Sequence, residues 1–463
     1  MNKLLLSIIT FYTILSFNAQ NPQVEWTKSI GGTGNERANG ITTDQDGNII
    51  IVGRFQSTTM KFDEVILTKN SLDKEDVADI FIIKMDKTGK AHWGIAAGDK
   101  GDDHAMSCVA DKKGNIYVVG WFESKILKLG GISLTNKTEK GCDMYVAKFS
   151  PNGECIWARN AGGEGDNGNY STIALDKKNN VILSGIAGNV MDFGDGNKLT
   201  NKKNGMYVAK YSNDGNLLWV KGATKGECQG VSVDKDMNVF AAGLFSDTTS
   251  FDNLNLFSTG GSDAFIVKFS PDGKAIWAKN FGGIGGEIAS CEVDPKGNVY
   301  LGGITFSKTI VIPNDSLTNK GETNAFISKF DKNGNFIWAK IAGGNNGDGP
   351  ATATREFYVD EQGNALCTGS NWSDFEFAGK TIKNVAKSED IFLLKYDKNG
   401  KELWAVDYGG AGRNAGRGVT TDKNGNIFLT GSFDEKQLKI ENQSLTNNGE
   451  ADIFIVKFKG EGK

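Results

Sequence analysis

Short apolar runs broken by Gly, Asn and Asp recur along the chain, and none shows the i, i+3, i+4 spacing of an amphipathic helix. In the first complete unit four such runs cover residues 38–44, 48–55, 79–86 and 91–98, each of strand length. We call them strands a, b, c and d. The phrase Asp-x-x-Gly-Asn joins a to b, as at residues 44–48, 111–115, 294–298, 360–364 and 422–426, with Asn179-Asn180 and Met237-Asn238 departing from it in two units. Gly and Asn accept the positive φ that such a turn requires, and the Asp side chain can accept from its amides. A second tight turn, as in Asp331-Lys332-Asn333-Gly334, joins c to d, so both connections are predicted hairpins.

The unit occurs seven times. Trp26, Trp93, Trp157, Trp219, Trp277, Trp338 and Trp404 stand 67, 64, 62, 58, 61 and 66 residues apart. From the turn Asp to the Gly that ends strand b the interval is nine residues in every unit, and from the strand c Lys to the strand d Trp it is nine wherever both follow in order. A slip of one residue would turn every side chain to the opposite face, so this constancy is the mark of a packed sheet. The interval from Trp to the next turn Asp varies instead from 15 to 22 residues.

Repeated four-stranded sheets protect their edges by closing radially, which predicts an all-β, seven-bladed β-propeller with four antiparallel strands per blade. The chain opens on a d-type strand, residues 24–30, and its last run, 452–458, is c-type. The N-terminal strand is therefore expected to complete the last blade and lock the ring. Residues 20–463 read as one domain.

Charge and composition narrow the function. With 52 basic and 56 acidic residues the net charge is -4, and no Lys/Arg stripe suits a phosphate backbone, so nucleic acid is not an expected partner. Residues 1–19, with Lys3 before an apolar run, read as a secretory signal peptide, which places the mature chain in the periplasm, outside the cell or on its surface, with no transmembrane segment. The six cysteines fall at scattered positions, and Cys142 and Cys155 are out of register about their turn, so mostly buried free thiols are expected. No His/Cys spacing suggests a metal, no cofactor is implied, and a monomer is expected outside any complex.

The phrases Asp-x-x-Gly-Asn-x-x-x-x-Gly, Asp-x-Phe-x-x-Lys-Phe and Gly-x-x-x-Trp-Ala-Lys resemble the bacterial seven-bladed β-propeller repeat family of exported and cell-surface proteins, often from Bacteroidota. That resemblance covers the whole mature chain and implies the fold and export, but no particular activity. Residues 86–93 also resemble the tryptophan-docking motif of quinoprotein dehydrogenases, which have eight blades and an adjacent Cys pair. Seven units and no such pair leave the docking and remove the redox chemistry.

A residue repeated in every blade reads as structural. The seven Trp are expected between blades, and the strand c lysines, Lys84 to Lys457, are expected to reach an acidic turn residue or a carbonyl near the rim. Asp44–Asn48 looks like the start of a calcium loop but lacks the downstream Glu, and reads as a plain turn.

Function is then sought where the copies differ. With tight a–b and c–d turns on one face, the long b–c and d–a connections are expected together on the other. The d–a loops carry Glu36, Asp102, Asp103, His104, Asp166, Glu227, Glu287, Asn346, Asp348, Arg413 and Arg417, read as a mostly acidic collar around the channel. Residues 343–355 form the longest inter-blade loop. Trp121 and Trp372 fall outside the seven-Trp register near that face, where indoles can stack on sugars or anchor proteins. The b–c segments, with anchors such as Phe62, Leu67, Phe251 and Leu256, suit an ordered binding surface. The expected function is a noncatalytic scaffold binding a protein or glycan of the cell envelope. The alternative is a glycan-active lyase or hydrolase built on a carboxylate/His site such as Asp102, Asp103 and His104.

Overall fold

The computed structural model describes residues 21–460 except 71–76, 139, 202–204, 313–314, 344–356 and 385. Residues 1–20, which hold the proposed signal peptide, lie outside the described set, as do Asn346 and Asp348.

Seven four-stranded antiparallel sheets are arranged around an axis. In blade 1 strands a to d are Arg37–Thr43, Ile49–Phe55, Asp79–Met85 and Ala91–Ala97, within a residue or so of the runs read from the sequence. Strand a of each blade contacts that of the next, and strand a of blade 7, Asn414–Thr421, contacts that of blade 1, so the circle is closed. The sheet of blade 7 runs in the order Val24–Ile30, Asp452–Phe458, Ile427–Phe433, Asn414–Thr421. The N-terminal strand is therefore strand d of the last blade, with Trp26 opposite Lys457 and Ile30 opposite Ile453.

The core is divided into seven apolar clusters, one at each blade junction; that between blades 1 and 2 joins Ile50, Val52 and Ile82 to Val118, Phe122 and Tyr145. Both faces of strands b and c are buried, which is why those strands read as continuous apolar runs.

The a–b turns are Asx turns. Asp44 accepts from the amides of Asp46 and Asn48 and from the Asn48 side chain at 2.8–3.0 Å, and the Lys84 amine lies 3.0 Å away, so its oxygens are fully engaged by groups of the chain itself. Burial works against its charge, but these donors and Lys84 hold it below the usual carboxylate range.

The lysines and tryptophans work together. Lys84 Nζ and Trp93 Nε1 both donate to the carbonyl of Pro151, in the c–d turn of blade 2, at 3.4 and 3.1 Å. Lys148 with Trp157 on Asn213, Lys210 with Trp219 on Pro271, and Lys329 with Trp338 on Lys398 repeat this bond. Lys268 and Lys457 reach Lys332 and Lys87 in the same way. Lys84, Lys210, Lys268 and Lys329 also pair with their own blade's turn Asp at 3.0–3.4 Å. Lys395 lies over the ring of Trp404, 5.8 Å from its centroid. Of the seven indoles Trp157 and Trp404 are buried and the others half-buried, so the packing holds while the depth varies.

The b–c segments differ from expectation. Each forms a short hairpin, Thr59–Phe62 with Val65–Thr68 in blade 1, adding seven two-stranded sheets. These hairpins do not stay on the long-loop face. They contact strand d of their own blade and of the preceding one, and the tip residue Asp63 accepts from the amide of Ala91, just beyond the c–d turn. The equivalent Asp252 accepts from Ala275. Each hairpin thus runs down the outer wall, burying Met60, Phe62 and Leu67 and covering the outermost strand, whose edge would otherwise be open to pairing.

Candidate functional site

Three of the carboxylates expected in the exposed collar are buried. Glu36, Asp103 and Glu287 are all 0% exposed. Each stands at the start of strand a and ties down the loop that follows strand b. Glu36 accepts from the Ser57 amide and hydroxyl and from the Gly32 amide, and Asp103 from the Ser124 amide and hydroxyl. Glu287 accepts from Thr305 Oγ1 and the Gly283 amide. Burial pushes the Asp103 carboxyl up to about 7, with Asp79 of the preceding blade adding to the rise against the Ser124 donors. Glu36 and Glu287 are raised for the same first reason. They are clamps, and the collar loses these three acids from its exposed surface.

At the mouth between blades 1 and 2 a different group remains. Arg37 and Arg54 are cross-strand partners in blade 1, as are His104 and Trp121 in blade 2. His104 Nε2 lies 3.1 Å from Asp102 Oδ2, and its ring lies on Trp121 with centroids 4.0 Å apart and planes inclined by 32°. Burial disfavours the imidazolium and outweighs the bond to Asp102, and the charges of Arg54 and Arg37 add to the depression, so His104 is held below the usual imidazole range. Asp102 is held below the usual range: burial opposes its charge, but His104, the Ala78 amide and Arg54 prevail. Arg54 and Trp121 are half-buried, presenting a guanidinium and an indole at the mouth.

The other predicted residues are spread around the ring. Glu227, half-buried, accepts from Gln229 in blade 4. Asp166 is exposed, and exposed Arg413 pairs with Asp434 at 3.1 Å. Arg417 occupies the bulge of strand a in blade 7, and Trp372 is half-buried just past strand b of blade 6. These do not converge with the blade 1–2 group.

One channel residue escaped the sequence reading. The seven a strands enclose an axial cavity of about 270 Å³, lined by Thr42, Ser107, Thr172, Ser232, Tyr358, Thr420 and one carboxylate, Glu292. Glu292 accepts from Ser232 Oγ at 3.2 Å, and burial pushes it up to about 7. It stands two residues before the turn Asp, where the other units carry Thr42, Val109, Ala174, Ser232, Tyr358 and Thr420. Aligning the repeats at that Asp would have exposed it. On the short-turn face a cleft of about 500 Å³ adjoins the channel at Tyr358, lined by Asp360, Lys395 and Asp422. It lies where blade 7, closed by the two chain ends, has no c–d turn.

The six cysteines are free, five of them buried. Among the described residues no helix is long and apolar enough to cross a membrane.

The strand order and closed circle define a seven-bladed β-propeller. No family model matches the chain. It is similar to an uncharacterised WD repeat-containing protein of Acanthamoeba polyphaga mimivirus, 22% identical over 539 aligned residues, covering 94% of this chain and 38% of that one. The chain thus spans well under half of that relative's length. Among solved structures, the Dos1 propeller gives a TM-score of 0.45 at 7% identity, over 96% of this chain and 98% of its own. A mutant NanB sialidase from Streptococcus pneumoniae gives 0.42 at 10% identity, over 95% and 71%.

Proposed function

We propose that the chain is a noncatalytic scaffold, exported to the periplasm or cell surface, that binds a protein or glycan of the envelope through its long-loop face. The observation that carries this reading is the blade 1–2 mouth, where Arg54, Asp102, His104 and Trp121 replace the repeated pattern with a half-buried indole beside hydrogen-bonding and charged groups. Such a set suits an aromatic anchor with a polar rim. The resemblance to an exported bacterial repeat family supports the location, and similarity to a WD repeat-containing protein supports protein binding.

Affinity capture from the native envelope, with wild-type protein and Trp121→Ala as paired baits, tests the proposal. A partner retained by the wild type and weakened at least about tenfold by the variant supports it. The competing reading is a glycan-active enzyme using the Asp102–His104 pair. Turnover of any polysaccharide in a panel, abolished by His104→Ala, would replace the scaffold by that enzyme.

A further inference from the structure

Blade 6 departs from the repeat at two positions of one face, one buried and one half-buried. Strand b ends on Phe55, Phe122, Phe245 and Phe433 in four other blades, but on Asn371 in blade 6. Strand d of blades 2 and 4 carries Asn160 and Asn280, whose amides donate to the strand c residues Asp143 and Asp263 at 2.9 and 2.7 Å. The equivalent residue in blade 6 is Asp407, so the strand c carboxylate, Asp390, meets a second acid where its counterparts meet a donor.

Asn371 pairs across with Asp390, and Asp407 with Phe392, two residues along from Asp390, so all three side chains share one face. Asn371 and Asp390 are 0% exposed. Asn371 Oδ1 and Asp407 Oδ2 are buried without a hydrogen-bond donor, as are Ser373 Oγ and Asn384 Oδ1 alongside. Asn384 is held there by its amide, which donates to the Asn371 carbonyl at 3.1 Å, while the Asn371 amide donates to the Ser373 carbonyl. A buried acceptor without a donor destabilises the fold, and several together call for a positive charge.

We propose that Asp390, Asp407, Asn371 and Asn384, with the Ser373 hydroxyl, form a calcium site at the long-loop end of blade 6. The set is oxygen-only and irregular, as suits a large hard cation that accepts mixed carboxylate, amide and hydroxyl ligands. Among the described residues no three His, Cys, Asp or Glu side chains are poised around a metal; here two carboxylates supply the charge and neutral oxygens complete the shell. The sequence reading expected no metal, because the ligands come from a strand b end, a hairpin and two further strands.

The test compares the full chain, stripped with EDTA, with the variant Asn371→Phe/Asp407→Asn, which restores to blade 6 the residues that other blades carry. Calcium at 1 mM should raise the wild-type Tm by about 5 °C and leave the variant unchanged. Terbium should show indole-sensitised luminescence that calcium displaces, with Trp372 beside the site as donor. If calcium shifts neither the wild-type Tm nor terbium luminescence, the site does not exist. A response undiminished in a folded variant, or an equal response to magnesium, also overturns it.

Discussion

Trp93 donates its indole N–H to the carbonyl of Pro151 in the next blade at 3.1 Å, while the same ring lies over the turn that holds that carbonyl. Gly153, in that turn, has φ 89°, and a Cβ there would stand 3.2 Å from the indole. Gly215, Gly273, Gly334 and Gly400 meet Trp157, Trp219, Trp277 and Trp338 in the same way. The turn glycine thus serves a backbone conformation and an inter-blade contact together.

Gly153→Ala should therefore cost about 1–2 kcal/mol, from strain at positive φ and displacement of the ring. Gly131→Ala, with nothing within 4 Å of the added carbon, should stay within about 0.5 kcal/mol of wild type. Urea titrations compare the two, and equal effects would refute the docking argument.

Removing residues 21–30 should lower the cooperative melting transition sharply. Val24 and Ile30 are buried in the seams on either side of blade 7, and each is worth about 1.5–3 kcal/mol. Their loss also leaves strand c, Asp452–Phe458, without its outer partner. An unchanged calorimetric trace would mean that the ring does not depend on this closure.

Lys84→Met leaves buried Asp44 without its cation and should cost about 3 kcal/mol. Lys457→Met should cost only about 1 kcal/mol, since its partner Glu25 is 45% exposed on its side chain and solvent screens the pair. Paired denaturation curves check the order.

The channel carboxyl predicts a pH effect. Glu292 is raised from 4.5 to about 7 by burial, so the folded chain keeps a proton that the unfolded chain has released. Its contribution to stability is present below pH 4.5 and is lost as pH rises through 7. Glu292→Gln should reduce the fall in Tm between pH 5 and pH 8. If the two profiles run parallel, Glu292 does not titrate in that window.

Much of the architecture could be read in advance, because strand register repeats with the residue pattern. The invariant nine-residue intervals marked both hairpins, and the d-type opening and c-type ending announced the shared blade. The b–c hairpins were less legible. Phe62 and Leu67 signalled order, but their burial direction depends on strand d of two blades. The collar misled for a similar reason. Glu36 and Asp103 look like loop charges until Ser57 and Ser124, each 21 residues onward, are brought beneath them by the return of strand b. Residues 344–356, which include Asn346 and Asp348, lie outside the described set and leave that part of the collar unplaced.

The sequence by itself determined the number of blades, their strands and the place of closure, since these follow from local periodicity and turn chemistry copied seven times. Only the tertiary structure decided which polar residues are clamps, which face the mouth and channel, and which side-chain oxygens of blade 6 lack a donor. Burial and hydrogen-bond partnership depend on residues of neighbouring strands and blades, and no local pattern records what the closed ring places beside them.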